Sequence, residues 1–288
     1  MSSTLGLGFA LGGSDGAPGF DFSGDGLPAG ATLTRGSAGS TLGADGVLRS
    51  VAADVARFDH DPTSGAKRGI LIEPAATNAI SDPHGFGATS WMRDQGGGGQ
   101  LPVLTSGQAA PDGSTGATRI DFARGNGFSR LIRNVPLAAA GPHCFSIWLR
   151  AVAPGPAIAL RLDGADGGTL SLDTGWRRFA FGVPVGSSVD VQLILWSVIA
   201  AAPVTASVFA WGAQIEPGTA PTSFISGSRA ADVLTLDWRG LGVADGSVAV
   251  RYDFDDGSSA VRATTVTGGT APVPTDLARP WLRRARRV

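Results

Sequence analysis

The sequence predicts an all-β protein whose middle is an antiparallel β-sandwich, flanked by a small N-terminal region and a small C-terminal β unit. Three observations carry this. Through the middle of the chain short apolar runs recur roughly every 8 to 15 residues with Asp-Gly, Gly-Gly or Pro-Gly in the gaps, the spacing of strands and tight turns. Glycine makes up 43 of the 288 residues without any period, so it supplies turns and not a collagen repeat. Helical periodicity is nearly absent.

In chain order, residues 1–22 are Gly-rich and apolar with hardly any charge, a composition that reads either as a floppy end or as an arm that orders against a partner. This segment lacks the positive n-region of a signal peptide, and no apolar run in the chain approaches the length of a membrane span. Asp45-Gly46, between short β-capable runs, predicts a hairpin turn. Pro62 and Gly65 make residues 59–69 a turn-rich bridge. It leads into RGILIEPAATNAI (68–80), which is echoed by WGAQIEPGTAPTSFI (211–225). Pro74 and Pro217 lack an N–H and fix φ, so each apolar run is expected to stop pairing at or before its Glu, and the two stretches to close the ends of the middle domain. A punctuated segment after residue 80 places a domain boundary between residues 80 and 91. The expected parts are an attachment region (1–85), a sandwich (86–226) and a C-terminal β unit (227–288).

Candidate strands of the middle domain are residues 100–104, 117–122, 128–134, 143–151, 157–162, 169–172, 177–183, 189–198 and 205–215. Side chains alternate along a strand, so Phe145, Ile147 and Leu149 share one face while Ser146, Trp148 and Arg150 share the other. Trp148 then lies in a second buried layer or on a ligand-facing surface. VDVQLILWSV (189–198) is nearly all apolar after Gln192, which suits a central strand covered on both faces. Further on, SRAADVLTLDW and VADGSVAVRYDF read as strands, Asp256-Gly257 as a hairpin turn, and LRRARRV at the end as a solvated basic tail.

Chemistry is sparse. Cys144 stands alone within an apolar run and reads as a small buried hydrophobe. A formal charge of -1 gives no electrostatic reason to expect nucleic acid. GGSDG (12–16) matches G-x-S-x-G in letters, without the strand and helix that a nucleophile elbow needs. His60, His84 and His143 have no partners at metal-ligand spacing and read as turn or surface residues. Glu73 and Glu216 both precede Pro, which suggests capping of backbone donors or pairing with Arg. Asp-rich turns at 163–166 and 253–256 offer hard oxygen ligands, so structural calcium stays an alternative there, although YDFDDG departs from the full loop pattern and no bidentate Glu follows. No catalytic residue, metal ligand or cofactor is assigned, and a non-enzymatic protein is expected. Binding needs less: sugar rings stack their apolar faces on aromatic planes while polar side chains satisfy the hydroxyls. Trp91, Trp176 and Trp196, beside turns or polar residues, are the candidate carbohydrate platforms. Trp148 and Trp211, inside apolar runs, are candidates for the core.

RFDHDPTSGAKRGILIEPAATNAI (57–80) resembles a segment recurrent in phage and prophage tail-fibre and head-spike proteins. So does AWGAQIEPGTAPTSFI (210–225) followed by SRAADVLTL (228–236). The Gly/Ala/Arg-rich, Lys-poor composition resembles the head spike fibres of alphaproteobacterial gene transfer agents. This resemblance implies a jelly-roll-like, carbohydrate-binding-module-like middle domain, with flanking segments attached to capsid, spike-base or tail proteins of the particle. It also implies adsorption to host surface or capsular polysaccharide, assembly in the cytoplasm with release by lysis, and a homo-oligomer, with neither nucleic acid binding nor membrane insertion. A decoration protein without ligand and a glycan-degrading spike are the alternatives.

Overall fold

The computed structural model describes residues 17–87, 90–155, 157–197 and 204–288. Most of the Gly-rich N-terminal segment, with GGSDG, lies outside the described residues. Among the described residues the chain is strand and turn, with one short 3-10 turn at Arg239–Leu241. Among these residues no helix is long and apolar enough to cross a membrane.

The chain divides into two compact units. One combines the N-terminal residues through Gly46 with Ser50–Ala75 and Ala230–Val288, and the other holds Val47–Arg49 and Ala76–Arg229. The three-part division expected from sequence is therefore corrected: the N-terminal region and the C-terminal β unit build one core together. Its strands are β1 (Gly19–Asp21), β2 (Ala31–Thr34), β3 (Gly39–Leu42), the second half of β4 (Leu48–Val51), β5 (Phe58–His60) and β6 (Lys67–Leu71) from the first part of the chain. After β7 (Ala76–Thr77) to β18, described below, come β19 (Val233–Asp237), β20 (Gly246–Phe254), β21 (Ser259–Val266), β22 (Thr270–Pro272) and β23 (Trp281–Arg287). One sheet runs β21-β20-β23-β6-β5 with β1 also on β23, and a second runs β2-β19-β22. Phe20, Ile70, Tyr252 and Leu282 from the first meet Leu33, Leu234 and Leu236 from the second in a single apolar cluster. Strands of three to five residues from the N-terminal part bury too little surface to form a core alone, so their pairing with C-terminal strands is what makes the unit. The predicted turns are present, with Gly46, Gly65 and Gly257 at φ of 74°, 68° and 82°. The basic stretch is not a solvated tail: it is β23, whose Leu282 and Ala285 are buried while Arg284 pairs with Asp21 and Arg286 with Asp253.

The second unit contains β8 (Met92–Gly96), β9 (Gln100–Gln108), β10 (Ala117–Ala123), β11 (Phe128–Pro136), β12 (Gly141–Ala151), β13 (Ala157–Leu162), β14 (Ala165–Ser171), β15 (Arg177–Val185), β16 (Ser188–Trp196), β17 (Thr205–Pro217) and the short β18 (Ser228–Arg229). All nine predicted strands are there, and among the strands of the two main sheets β8 is the one that the sequence reading missed. Two five-stranded antiparallel sheets result, β15-β12-β17-β10-β9 and β14-β13-β16-β11-β8. The pairing is nested: β10 with β17, β11 with β16, β12 with β15, β13 with β14. Eight strands paired from the outside inward are one long hairpin rolled upon itself, the jelly-roll topology, with β9 and β8 added at the edges.

The two sheets face each other across one core. Phe145, Ile147 and Leu149 of β12 point into it as period two predicts, and meet Leu131 of β11 and Val191, Leu193 and Leu195 of β16. β16 is central in its sheet, and Ile194 on its other face is buried as well. β6 stops at Leu71, before Glu73, as expected from Pro74. β17 instead runs through Glu216 to Pro217, which still lies opposite His143. A Pro at the last position of a strand removes only a terminal donor, so the ladder survives to it.

Candidate functional site

The register of the β15-β12-β17-β10-β9 sheet aligns side chains in rows on its outward face. Trp148 lies opposite both Arg178 and Trp211. One step along, Phe209 lies opposite Arg150 on one side and Arg119 on the other, and Arg119 lies opposite Thr105. Next, Ser207 lies opposite Asp121, and Asp121 opposite Val103. Trp176 precedes Arg178 by two residues, so alternation brings it beside Arg150.

Half of this face is covered by the chain itself. His84 stacks on Trp211 with ring centroids 4.5 Å apart, and Phe224 lies 4.5 Å from the same ring. Arg178 donates to the carbonyl of Thr222 at 2.6 Å and to Ser146 Oγ at 2.8 Å. Glu216 accepts from the Thr222 N–H at 2.8 Å, from the Thr222 hydroxyl at 2.7 Å and from Gln214 at 2.5 Å. The second Ile-Glu-Pro stretch thus folds back over its own sheet, with Glu216 capping the fold. Two glycines permit the close approach. A Cβ on Gly182 would sit 2.8 Å from the Thr219 carbonyl, while Gly212, at φ +66°, would bring one to 3.1 Å from the Phe224 ring. Trp148 and Trp211 are consequently buried, so Trp148 belongs to a second buried layer.

The other half of the face is left open by the described residues. The Arg150 guanidinium lies 4.1 Å from the Phe209 ring centroid and 5.2 Å from that of Trp176, and all three side chains are half-buried. Arg119 donates through Nε and Nη2 to Asp121 Oδ1 at 3.0 and 2.9 Å, and Ser207 Oγ donates to the same oxygen at 2.5 Å. These two side chains keep 40% and 32% of their surface. Val103 on the edge strand is 58% exposed. Aromatic edges, a cationic fork and a hydrogen-bonding cluster therefore share one surface, as recognition of a polyhydroxylated ligand requires.

The structure separates the three predicted tryptophans. Trp91 is corrected: it is 3% exposed, packs 5.2 Å from Phe86 and belongs to the sandwich core. Its neighbour β8 is an edge strand that the Gly-rich surroundings concealed, and pairing of β8 with β11 turns Trp91 inward. Trp176 joins the open face. Trp196 lies on the outward face of the opposite sheet, with the Arg161 guanidinium 4.8 Å from its ring, opposite Phe128. Trp176 and Trp196 therefore cannot grip one ligand ring between them. Arg150 and Phe209 were not singled out as ligand residues, although period two already placed Arg150 on the non-core face.

The remaining chemistry is structural. Glu73 pairs with Arg57 at 2.9 Å, and Asp232 with Arg57 at 2.5 Å and with Arg35 at 3.0 Å, all of them at most 3% exposed at the side chain. Arg57 and Glu73 come from the 57–80 segment and Asp232 from the 228–236 segment, so two of the three segments that resemble fibre proteins converge on one buried charge cluster. His143 is buried within β12, which corrects its reading as a turn or surface residue, while His84 lies in a turn as expected and is half-buried. Burial lowers the His84 pKa and pushes that of Cys144 up to about 11. Among the described residues no group of three or more His, Cys, Asp or Glu is placed to hold a metal ion. In the second Asp-rich turn Asp255 and Asp256 pair with Arg279. In the first, Asp163 accepts from the Asp190 N–H, and the side chain of Asp166 lies outside the described residues.

No family model matches the chain, and no curated protein matches it. Solved structures similar to it include a CBM4 carbohydrate-binding module (14% identity, TM-score 0.34, 51% of this chain and 97% of that one). A family 11 carbohydrate-binding module from Clostridium thermocellum matches at 9% identity and TM-score 0.36, over 52% of this chain and 99% of that one. The enzymatically active domain of tailspike protein 4 from bacteriophage CBA120 matches at 11% identity and TM-score 0.34, over 48% of this chain and 21% of that one.

Proposed function

We propose that the jelly-roll unit is a carbohydrate-binding module and that its ligand face is the open half of the β15-β12-β17-β10-β9 sheet. The observation that carries this is the row Trp176, Arg150, Phe209, Arg119, set beside the Asp121–Ser207 cluster on a surface that the described residues leave uncovered. A rigid sheet presents these side chains in fixed register, so little order is lost on binding. Among the described residues the open half of the face presents one carboxylate, Asp121, whereas glycoside hydrolysis takes a pair, which supports binding without cleavage.

The likeness of residues 57–80, 210–225 and 228–236 to fibre proteins supports a wider reading. In it the chain is a head spike or tail fibre of a phage-like particle, joined to capsid, spike-base or tail proteins, self-associated in the particle, and adsorbing to host surface or capsular polysaccharide. The test is an array of immobilised bacterial surface polysaccharides probed with the full chain, with soluble products assayed in parallel. Retention without product is expected. Product release overturns the non-enzymatic reading, and absence of retention on every surface leaves the chain a decoration protein.

A further inference from the structure

Arg150 differs from the other arginines on the outward faces of its unit. Arg119 and Arg130 hold the carboxylates of Asp121 and Asp94, Arg161 donates to the Gly164 carbonyl, and Arg178 donates to the Thr222 carbonyl and Ser146 Oγ. Among the described residues the Arg150 guanidinium has neither a hydrogen-bond acceptor nor an ion-pair partner: its contacts are the two rings, and its Nε is buried without an acceptor. The charge of Arg150 gains from the two rings, but its N–H donors are left without the hydrogen bonds that a half-buried guanidinium ordinarily makes. Stacking between Phe209 and Trp176 does hold it in one orientation, so a planar fork of donors is ready before any ligand arrives. Arg119, one strand further along the row, adds a second cation whose charge Asp121 offsets.

Resting on the reading of this face as a glycan site, the geometry points to an acidic polysaccharide as its ligand: we infer that Arg150 receives the carboxylate of a uronic acid unit. The carboxylate matches the guanidinium fork in two parallel hydrogen bonds, while the ring of the same sugar meets the edges of Trp176 and Phe209. Neighbouring hydroxyls fall to Arg119, Asp121 and Ser207. Low affinity at each site and reinforcement over many sites suit a repeating chain.

The experiment titrates the full chain with oligogalacturonate, with its methyl ester and with dextran sulfate. Oligogalacturonate is expected to bind at least about tenfold more tightly than the ester, as loss of a charge-assisted hydrogen-bond pair implies, and to weaken as salt rises. Arg150→Ala should remove that preference and Arg150→Lys restore part of it, since a point charge lacks the fork. Arg150→Gln, which keeps most of the stem between the rings, provides the same comparison if the alanine variant does not fold. Equal affinity for acid and ester, or an acid preference that survives in Arg150→Gln, overturns the inference while retention of neutral glycan leaves the binding face standing. Binding of dextran sulfate without oligogalacturonate overturns the carboxylate assignment. Failure to bind any glycan, here and on the array, removes both readings together.

Discussion

Residue identity separates the tryptophans less well than position does. Trp91 is buried against Phe86, so Trp91→Ala should cost about 3–5 kcal/mol of stability, as for other large-to-small core changes. Phe209→Ala, on a half-buried outward position, should leave the melting temperature within a few degrees of the parent and reduce glycan retention. Thermal melts paired with retention on polysaccharide decide this, and a stable Trp91→Ala protein that no longer binds would reverse the assignment. His84 makes a second prediction. Burial lowers its pKa below the ordinary 6.5, so the unfolded chain binds a proton before the folded one does. Its contribution to stability is complete above about pH 6.5 and declines as pH falls toward the lowered value. His84→Phe should flatten that part of a pH–stability curve, while an unchanged slope would mean that other groups produce it.

Elements in this protein end where side chains, not strand propensity, dictate. The two Ile-Glu-Pro stretches look alike, yet Glu73 closes a buried network with Arg57 while Glu216 caps a fold-back through Thr222. Asp232 joins both Arg35 and Arg57 and also accepts the Glu73 N–H at 2.9 Å. Removing it leaves two guanidiniums in the interior with part of their compensation gone. Asp232→Ala should therefore destabilise the unit by about 3–5 kcal/mol, whereas exposed pairs such as Arg177–Asp173 should give less than about 1 kcal/mol when cut. Denaturant titrations of the two variants check the contrast, and similar small losses would show that water reaches the cluster.

For the molecule, two separate apolar cores predict two separable folding units. A fragment of residues 76–229 should fold alone and unfold cooperatively, because its strands and core are contained within it. Residues 1–75 and 230–288 should each stay unfolded alone and acquire β structure when mixed, because their sheets are built from both. Far-UV circular dichroism of each piece and of the mixture tests this, and independent folding of 230–288 would restore the three-part division. If the jelly roll is the adsorbing module, the isolated fragment should bind polysaccharide weakly and the particle firmly, since a sugar hydroxyl exchanging water for protein gains only about 0.5–1.5 kcal/mol.

Strand existence was local information. Alternation in HCFSIWLR, Asp-Gly and Gly-rich turns, and strand-ending prolines each act within a few residues, so the nine strands, the inward face of β12 and the structural roles of Glu73 and Glu216 were legible from the sequence alone. Trp91 was misjudged because β8 has almost no apolar pattern, being an edge strand with Met92 exposed. Nested pairing, the union of the chain ends in one core and the burial of LRRARRV as β23 depend on contacts between residues far apart in sequence, and no short window encodes them. The candidate site is of that kind. Arg150, Phe209, Arg119 and Trp176 come from four strands or their ends, and register alone puts them in one row. Which half of that face stays open was decided by the fold-back of residues 219–225, a packing event that the tertiary structure alone specifies.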